Sequence, residues 1–299
     1  MNGKILSFGS INKDLVFSVP HIAAPGETLQ SSAMDICSGG KGANQACAAA
    51  RTGAPVSFAG RIGADGEAVL DALSRQGVDV SLVQRGDGAT GQALIQVADS
   101  GENAIVLYRG ENCRFTEAYV DTVLDSFGPG DILLLQHEVN LLPCLIRGGK
   151  RRGMHVIFNP APCTREVSSY PLDLVDTLVV NQLEAAELVG GDGAATPDLL
   201  ARLKHQSGSI EVILTMGSRG ALYVGSDEIV TIPARKVTAV DATSAGDTFI
   251  GFFAGAVLKG LERSEALDIA SRAAALCVTR PGALSSIPRW EEVLRSPLR

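Results

Sequence analysis

Residues 177–215 read TLVVNQLEAAELVGGDGAATPDLLARLKHQSGSIEVILT. The short, β-branched runs at Thr177–Val180 and Val212–Thr215 predict buried strands. Between them, the helical patterns at Leu183–Val189 and Pro197–His205 have the spacing of amphipathic helices. A strand, a helical connection and a second strand form a β-α-β unit, which is typical of a parallel sheet.

The same alternation extends through most of the chain. It places the chain in the α/β class, with a mostly parallel sheet. The further predicted strands are Lys4–Phe8, Val56–Ala59, Asp131–Leu135 and His155–Phe158. The further predicted helices are Ala43–Thr52, Glu67–Gln76, Glu117–Phe127, Asp247–Lys259 and Ser264–Thr279.

Two stretches interrupt this alternation and predict antiparallel strands. The first combines Asp14–Val19 with Glu27–Ser38, and the second combines Gln92–Asp99 with Asn103–Arg109. We expect one domain over residues 1–299, with a small β lid built discontinuously from about 14–38 and 92–109.

Composition excludes several functional classes. The chain has 299 residues, of which 45% are hydrophobic, and its net charge is −7. This acidic balance argues against nucleic acid or acidic lipid as a partner. We expect no secretory signal, because no long apolar stretch follows Lys4 near the start, and no membrane span, because the longest apolar run, Ile250–Leu258, is too short. The six cysteines show no paired spacing, which predicts reduced thiols and a cytoplasmic location.

The most informative motif is VDATSAGDTF at residues 240–249. Small side chains before a helix leave backbone N–H groups free to bind the charge that develops on a transferring phosphoryl group. Asp247 would then stand beside this anion hole as a general base for a hydroxyl nucleophile. The residues alone equally allow a second interpretation, in which Asp247 only stabilises the helix dipole.

This motif resembles the signature of the ribokinase family of sugar kinases, which combines Asp-Thr, a small-residue turn and Gly-Asp. The resemblance implies a three-layer, doubly wound sheet and makes Asp247 the catalytic base. It also assigns the anion hole to the main-chain N–H groups of Ser244, Ala245, Gly246 and Asp247. Ala242 departs from the family, which usually has Thr there.

Two N-terminal motifs extend the resemblance, GSINKD at residues 9–14 and GGKGANQA at residues 39–46. The second lacks the spacing of a phosphate-binding P-loop, and by itself it would also suit a turn that caps a helix. Carboxylates and carboxamides suit sugar hydroxyls, which both donate and accept. By resemblance, the sugar-binding residues are Asn12, Asp14, Gly40, Lys41, Asn44, Glu138 and Asp247.

Two segments resemble the nucleotide-binding parts of the family, NQLE at residues 181–184 and the turn at residues 214–220. Asn181 and Glu184 lie one helical turn apart and could hold Mg²⁺ through its waters, or they could form only a capping box. The resemblance assigns ATP binding to Asn181, Glu184, Thr215, Gly217 and Gly220.

A loop near the C-terminus, VTRPGALSS at residues 278–286, resembles the segment that binds a monovalent cation in ribokinases. The resemblance implies a K⁺ site. Its ligands would be Asp241, the carbonyl groups of Thr243, Arg280 and Gly282, and the hydroxyl of Ser286.

The resemblance runs from Gly9 to Ser286 and implies ATP-dependent phosphorylation of a primary hydroxyl of a small sugar, with D-ribose as the first expectation. Another sugar or a nucleoside is the alternative, and a sugar-binding regulator without catalysis would have lost Asp247. A dehydrogenase is disfavoured, because GDGATG at residues 86–91 precedes a strand pattern rather than a helix.

The resemblance also implies a homodimer that joins two lids. The lid strands carry apolar side chains that one small sheet cannot bury alone. The residues expected to leave apolar area exposed are Val16, Val19, Leu94, Ile95, Val97 and Ile105.

Overall fold

The structure is a computed structural model that describes residues 3–190, 197–207, 211–225 and 228–298. Its strands are β1 (Ile5–Phe8), β2 (Asn12–Val19), β3 (Ala33–Gly39), β4 (Val56–Ala59), β5 (Arg61–Ile62), β6 (Gln84–Arg85), β7 (Gly91–Ala98), β8 (Asn103–Tyr108), β9 (Ile132–Gln136), β10 (His155–Asn159), β11 (Thr177–Asn181), β12 (Glu211–Thr215), β13 (Ala221–Val224) and β14 (Ile229–Ile232). Its helices are α1 (Lys41–Arg51), α2 (Glu67–Ser74), α3 (Glu117–Leu124), α4 (Leu142–Arg151), α5 (Gln182–Val189), α6 (Pro197–Ser207), α7 (Ala245–Leu258), α8 (Arg263–Cys277) and α9 (Trp290–Arg295).

The main sheet has eight strands in the order β14-β13-β12-β11-β10-β9-β1-β4. From β12 to β4 every neighbouring pair is parallel, and β13 and β14 extend the β12 edge antiparallel. The chain therefore winds outward from β1 in both directions. The prediction of a doubly wound, mostly parallel sheet is confirmed.

Side chains on the strands alternate between two apolar clusters, one on each face of the main sheet. In β9, Ile132 and Leu134 join the cluster with α1, α2, α7, α8 and α9, whereas Leu133 and Leu135 join the cluster with α3, α4, α5 and α6. Because successive strand residues point to opposite faces, a run without polar residues must be covered on both sides. The three-layer arrangement follows. No helix within the described ranges is long and apolar enough to cross a lipid bilayer.

A second sheet of four strands, in the order β3-β2-β7-β8, is the predicted lid. Each hairpin is antiparallel, as expected, and the two hairpins join through parallel pairing of β2 with β7. The predicted strand at Glu27–Ser38 is shorter in the structure and begins at Ala33. The turn that closes from Ala24 to Glu27 occupies the preceding chain.

The lid exposes apolar side chains, although not all those predicted. Leu94 and Ile105 are 40% and 56% exposed, whereas Val19 is only 5% exposed, so its predicted exposure was wrong. Val19 is the last residue of β2, where its carbonyl accepts from the N–H of Asp99 and the two lid pieces meet. One row of facing side chains crosses all four strands. It consists of Ile36, Leu15, Leu94 and Val106.

Helix α4 and the strands β13 and β14 were missing from the sequence analysis. Helix α4 contains the pair Gly148-Gly149, which normally disfavours a helix interior, whereas its Pro143 lies in the first turn, where proline is tolerated. The packing explains the glycines. A Cβ atom at Gly148 would lie 2.6 Å from Leu124 Cδ1, and one at Gly149 would lie 2.5 Å from Leu133 Cδ2. Tertiary contact therefore overrides local propensity here.

Helices α1 and α7 touch backbone to backbone at Gly251. A Cβ atom there would lie 2.4 Å from the Cβ of Ala48 and 2.6 Å from the carbonyl oxygen of Gln45.

We expect Gly251→Ala to lower the free energy of unfolding by about 1–3 kcal/mol, because the two helices must move apart. Urea denaturation measures the change. Gly128→Ala is the control, since its Cβ would meet only one atom at 3.7 Å, and an equal loss in both variants would contradict the expectation.

Candidate active site

The N-terminus of α7 has an unusual entry. Ser244 adopts a left-handed conformation with φ of 60°, and the helix begins at Ala245. The first N–H groups of a helix have no partner within it, and they carry its positive dipole end. The Ala245 N–H donates weakly to the Ala242 carbonyl, at 3.3 Å. Beside Gly246 the space is open, because a Cβ atom there would meet nothing within 4 Å. An anion can therefore approach this turn closely.

Asp247 lies in the first turn of α7 and is 8% exposed. Its Oδ2 accepts from Asn44 Nδ2 at 3.1 Å, and its Oδ1 accepts from Gln45 Nε2 at 2.9 Å. Both donors lie close to the N-terminus of α1. Each carboxylate oxygen keeps a further lone pair, so the group remains able to accept a proton from a bound hydroxyl. Asn44 Oδ1 is a buried acceptor without a partner in the structure.

A chain of buried amides holds Gln45 in place. Gln45 Oε1 accepts from Gln136 Nε2 at 2.8 Å, and its Nε2 also lies 3.3 Å from Asn159 Oδ1. Sequence analysis missed all three residues. A signal existed for Gln136 and Asn159, because each is a polar residue that ends a strand directly after a run of apolar residues. Gln45 stands next to Asn44 in the GGKGANQA motif.

The predicted sugar-binding residues gather around Glu138. Glu138 accepts from the Ser10 hydroxyl and, at 3.2 Å, from the Lys41 N–H. Gly40 has φ of 94°, and a Cβ atom there would lie 2.9 Å from the Asn12 nitrogen. A side chain at this position would therefore separate the first strand of the lid from α1. Ser10 was not predicted, although it lies within the GSINKD motif.

Charges in this group act strongly on one another. Burial raises the pKa of Asp14 to about 7, with the negative charges of Glu138 and Asp247 adding to the effect. Burial likewise raises the pKa of Glu138, against the opposing charge of Lys41. For Lys41, burial lowers the pKa, but the surrounding carboxylates outweigh burial and hold it above its usual value. Lys41 is therefore a cation among acids.

A cavity of about 250 Å³ lies at the carboxyl ends of β10, β11 and β12. Ligands of open α/β sheets bind at this edge. The cavity brings together residues from both predicted halves of the site, including Lys41 from the sugar side and Asn181, Glu184 and Thr215 from the nucleotide side. The anion-hole residues Ser244, Ala245, Gly246 and Asp247 complete its polar lining.

On the nucleotide side, Asn181 and Glu184 form the capping box that was one of the two interpretations. Asn181 Oδ1 accepts from the Glu184 N–H at 2.9 Å, and Glu184 Oε2 accepts from the Asn181 N–H at 2.9 Å. Burial raises the pKa of Glu184. Gly217 and Gly220 lie in the turn that follows Thr215, beyond the cavity lining. No cluster of three or more His, Cys, Asp or Glu in the described ranges could hold a metal unaided.

The predicted cation loop folds against the turn before α7. Asp241 accepts from the Thr243 N–H at 2.8 Å and from the Gly282 N–H at 2.9 Å. Burial alone would raise the pKa of Asp241, but these hydrogen bonds lower it. The Ser286 hydroxyl lies 3.1 Å from Cys277 Sγ, which also contacts the Thr243 carbonyl at 3.7 Å. The structure therefore brings Asp241, Thr243, Gly282 and Ser286 together, while the Arg280 side chain pairs with Glu292.

Comparisons with known proteins agree with this geometry. The model of the pfkB family of carbohydrate kinases matches residues 2–290. A ribokinase from Haemophilus influenzae is 38% identical over 301 residues, covering 98% of each chain. A ribokinase structure from Cryptococcus neoformans in complex with ADP has a TM-score of 0.88 and 32% identity, covering 98% of this chain and 99% of that one.

A ribokinase structure from Arabidopsis thaliana, complexed with ribose and ATP, has a TM-score of 0.87 and 28% identity, covering 99% of this chain and 98% of that one. The matched family model spans nearly the whole chain, and the site geometry places an acid beside a helix N-terminus at the sheet edge. The chain therefore belongs to the pfkB family of carbohydrate kinases.

Proposed function

We propose that this protein transfers the γ-phosphate of ATP to the primary hydroxyl of D-ribose. The observation that carries the proposal is the placement of Asp247, which two amides hold at the N-terminus of α7, on the wall of a cavity at the sheet edge. Full-length similarity to ribokinases supports ribose as the sugar. Ribose bound between the lid and α1 would bring a hydroxyl to this carboxylate.

Asp247 acts in this reaction as the general base. Its carboxylate takes the proton as the sugar oxygen attacks the γ-phosphorus, and the bond to the β-phosphate oxygen breaks to release ADP. Hydrogen bonds from Asn44 and Gln45 fix the carboxylate plane, so the proton acceptor is oriented before the sugar arrives. The sugar-binding role proposed for Asn44 fits its unpartnered Oδ1, which can accept from a hydroxyl.

Two features of the site would stabilise the negative charge on the transferring phosphoryl group. The N–H groups at residues 244–247 act as an anion hole without changing the net charge of the protein. Lys41 supplies a positive charge on the same cavity wall. Because neighbouring acids keep Lys41 ionised despite its burial, it can pair with phosphate oxygens when ATP enters.

We assign Mg²⁺ to the nucleotide side, where Asn181 and Glu184 would hold it through water, and Thr215, Gly217 and Gly220 to ATP contacts. Magnesium keeps several waters and binds substrate phosphates rather than an all-protein cage, which suits a site with few carboxylates. When bound, it neutralises charge on the β- and γ-phosphates. Glu184 lines the cavity and feels the charges of Lys41 and Asp247, which supports its place near the phosphates.

We also propose a homodimer in the cytoplasm, formed through the lid. The row Ile36, Leu15, Leu94 and Val106 supports this assembly, because Ile36 and Val106 are 61% and 66% exposed. A sheet that leaves such a row in water favours association with a second copy. A lid held in this way would also shield the transferring phosphate from water.

The substrate assignment is tested with a panel of sugars and nucleosides, with ADP formation as the readout. We expect D-ribose to give the highest kcat/KM.

The catalytic role of Asp247 is tested by substitution. We expect Asp247→Asn to lower kcat by roughly 10²–10⁴ with the KM for ATP nearly unchanged, as for loss of a general base. The control is Glu265→Gln, which removes an exposed first-turn carboxylate from α8. Near-normal turnover by Asp247→Asn would contradict the mechanism, and a preference for nucleosides would contradict the substrate.

Sugar affinity should depend on pH through Asp14. With a pKa of about 7, this carboxyl is about nine-tenths protonated at pH 6 and about one-tenth at pH 8. Because hydroxyl groups donate to the ionised form, we expect the KM for ribose to be roughly 10-fold higher at pH 6 than at pH 8. Steady-state kinetics across this range measure it, with the KM for ATP as an internal control. A slope that persists in Asp14→Asn would assign the titration to another group.

Activity should depend on a monovalent cation bound by Asp241, Thr243, Arg280, Gly282 and Ser286. A bound cation would order the turn at residues 244–247, because Asp241 and Thr243 lead directly into it. We expect a higher rate in potassium chloride than in sodium chloride at equal ionic strength. The difference should shrink in Asp241→Asn. Equal rates for the parent enzyme in the two salts would contradict the K⁺ site.

A further inference from the structure

Asn112 lies between the lid and the proposed sugar site, and it is neither in a predicted lid strand nor among the predicted sugar-binding residues. It sits in a 3₁₀ turn, Gly110–Cys113, that follows β8 almost directly, and it is only 1% exposed. Its side-chain amide reaches back to the start of β2, about one hundred residues earlier in the chain. A buried carboxamide in this position must satisfy its donors and acceptors inside the protein.

The backbone of Ile11 fixes which way the Asn112 amide points. The Ile11 N–H donates to Asn112 Oδ1 at 3.1 Å, and Asn112 Nδ2 donates to the Ile11 carbonyl at 3.3 Å. A backbone N–H can only donate, and a backbone carbonyl can only accept. The oxygen and nitrogen of the Asn112 side chain therefore cannot exchange places without losing both hydrogen bonds.

The fixed orientation of the Asn112 amide also fixes the orientation of the Asn12 amide. Asn112 Nδ2 also donates to Asn12 Oδ1, at 2.8 Å. If Asn12 turned its Nδ2 toward Asn112, two donors would face each other. Asn12 must therefore keep its carbonyl oxygen toward Asn112. Its Nδ2 is then the group left for a ligand. Asn12 is itself 3% exposed, which limits its freedom to turn.

Two neighbours keep the pair together. A Cβ atom at Gly91 would lie 2.2 Å from both Asn112 Nδ2 and Asn12 Oδ1, so glycine at the start of β7 leaves the room that this contact needs. Beside Asn112, the fully buried carboxylate of Glu111 pairs with Arg61 and accepts from the Gly88 N–H at 2.7 Å. The turn that carries Asn112 is thus anchored on both sides.

We infer that Asn112 is a positioning residue that makes Asn12 a hydrogen-bond donor to the bound sugar. The inference rests on the proposed function, since it takes Asn12 as part of the sugar site. Asn12 and Asp14 share one face of β2, two residues apart. Asn12 then donates while ionised Asp14 accepts. This pairing selects a hydroxyl group, which can do both, and rejects an ammonium substituent, which cannot accept.

The test substitutes Asn112→Asp, which keeps the acceptor for the Ile11 N–H but replaces the donor that faces Asn12 with a second oxygen. Asn12 must then turn its own amide toward the new carboxylate, and it loses its donor to the sugar. We expect the KM for ribose to rise about 10-fold or more, with kcat at saturating ribose and the KM for ATP nearly unchanged.

The matched control is Asn140→Asp. Like Asn112, Asn140 makes two hydrogen bonds to the backbone of a single residue. It accepts from the Phe115 N–H at 3.1 Å and donates to the Phe115 carbonyl at 3.0 Å. Its side chain bonds to no predicted sugar-binding residue among those that the structure describes. A KM for ribose that rises equally in both variants would mean a general loss of packing and would overturn the inference. Gly91→Ala, which keeps both amides but forces them apart, should raise the KM as Asn112→Asp does.

A double-mutant cycle with Asn12→Ala gives the decisive measurement. If Asn112 acts through Asn12, then adding Asn112→Asp to Asn12→Ala should change the KM for ribose by less than about 2-fold. A further rise as large as that in the parent background would overturn the inference. The parent enzyme separates the two proposals. A parent that phosphorylates no sugar contradicts the proposed function, whereas an active parent whose KM is insensitive to Asn112→Asp contradicts the positioning role alone.

Discussion

The contact between helices α1 and α7 is the constraint on which the rest of the site depends. Through it, Asn44 and Gln45 hold the carboxylate of Asp247, which lies about two hundred residues later in the chain. The two helices can come this close because Gly251 and Ala48 present almost no side chain at the crossing. A helix with a larger residue there would carry Asp247 away from its amide partners. The packing of small residues therefore sets the geometry of the proposed base.

Electrostatics in the site depend on burial as much as on formal charge. The protein has a net charge of −7, yet its site must accept a polyanionic nucleotide. The structure resolves this with a helix N-terminus and with one cation, Lys41, among the acids Glu138, Glu184 and Asp247. Burial raises the pKa of Glu138 and raises that of Asp14 to about 7, so Asp14 is partly protonated near neutral pH and repels the neighbouring acids less. Ligand binding and protonation are consequently linked.

The lid is more than a cover in this structure. Its first strand supplies Asn12 and Asp14, and the turn after its last strand supplies Asn112, which orients Asn12. The two halves of the lid join through parallel pairing of β2 with β7, which starts at Asn12 and Gly91. The proposed sugar-binding side chains and their hydrogen bonds therefore lie at the base of the lid, where its two halves join.

The sequence alone determined the fold class and most of the candidate site. Alternating apolar runs and helical patterns predict the parallel core, because every strand of a doubly wound sheet must be apolar on both faces. The motifs around Asn44 and Asp247 were recognisable because short, local residue patterns carry their chemistry. Among the elements that it missed, helix α4 has a weak local signal, because Gly148 and Gly149 disfavour a helix until Leu124 and Leu133 pack against them.

Only the tertiary structure decided which polar side chains face one another. Nothing local to Gln45, Gln136 or Asn159 indicates that they form a chain ending on Asp247. The same holds for Asn112, whose partner Asn12 lies in the other half of the lid. Hydrogen bonds between distant residues require donor–acceptor distances that are correct to within a few tenths of an ångström, and they require the right direction of each donor. Those are set by the packing of whole elements, which no pattern within one segment records.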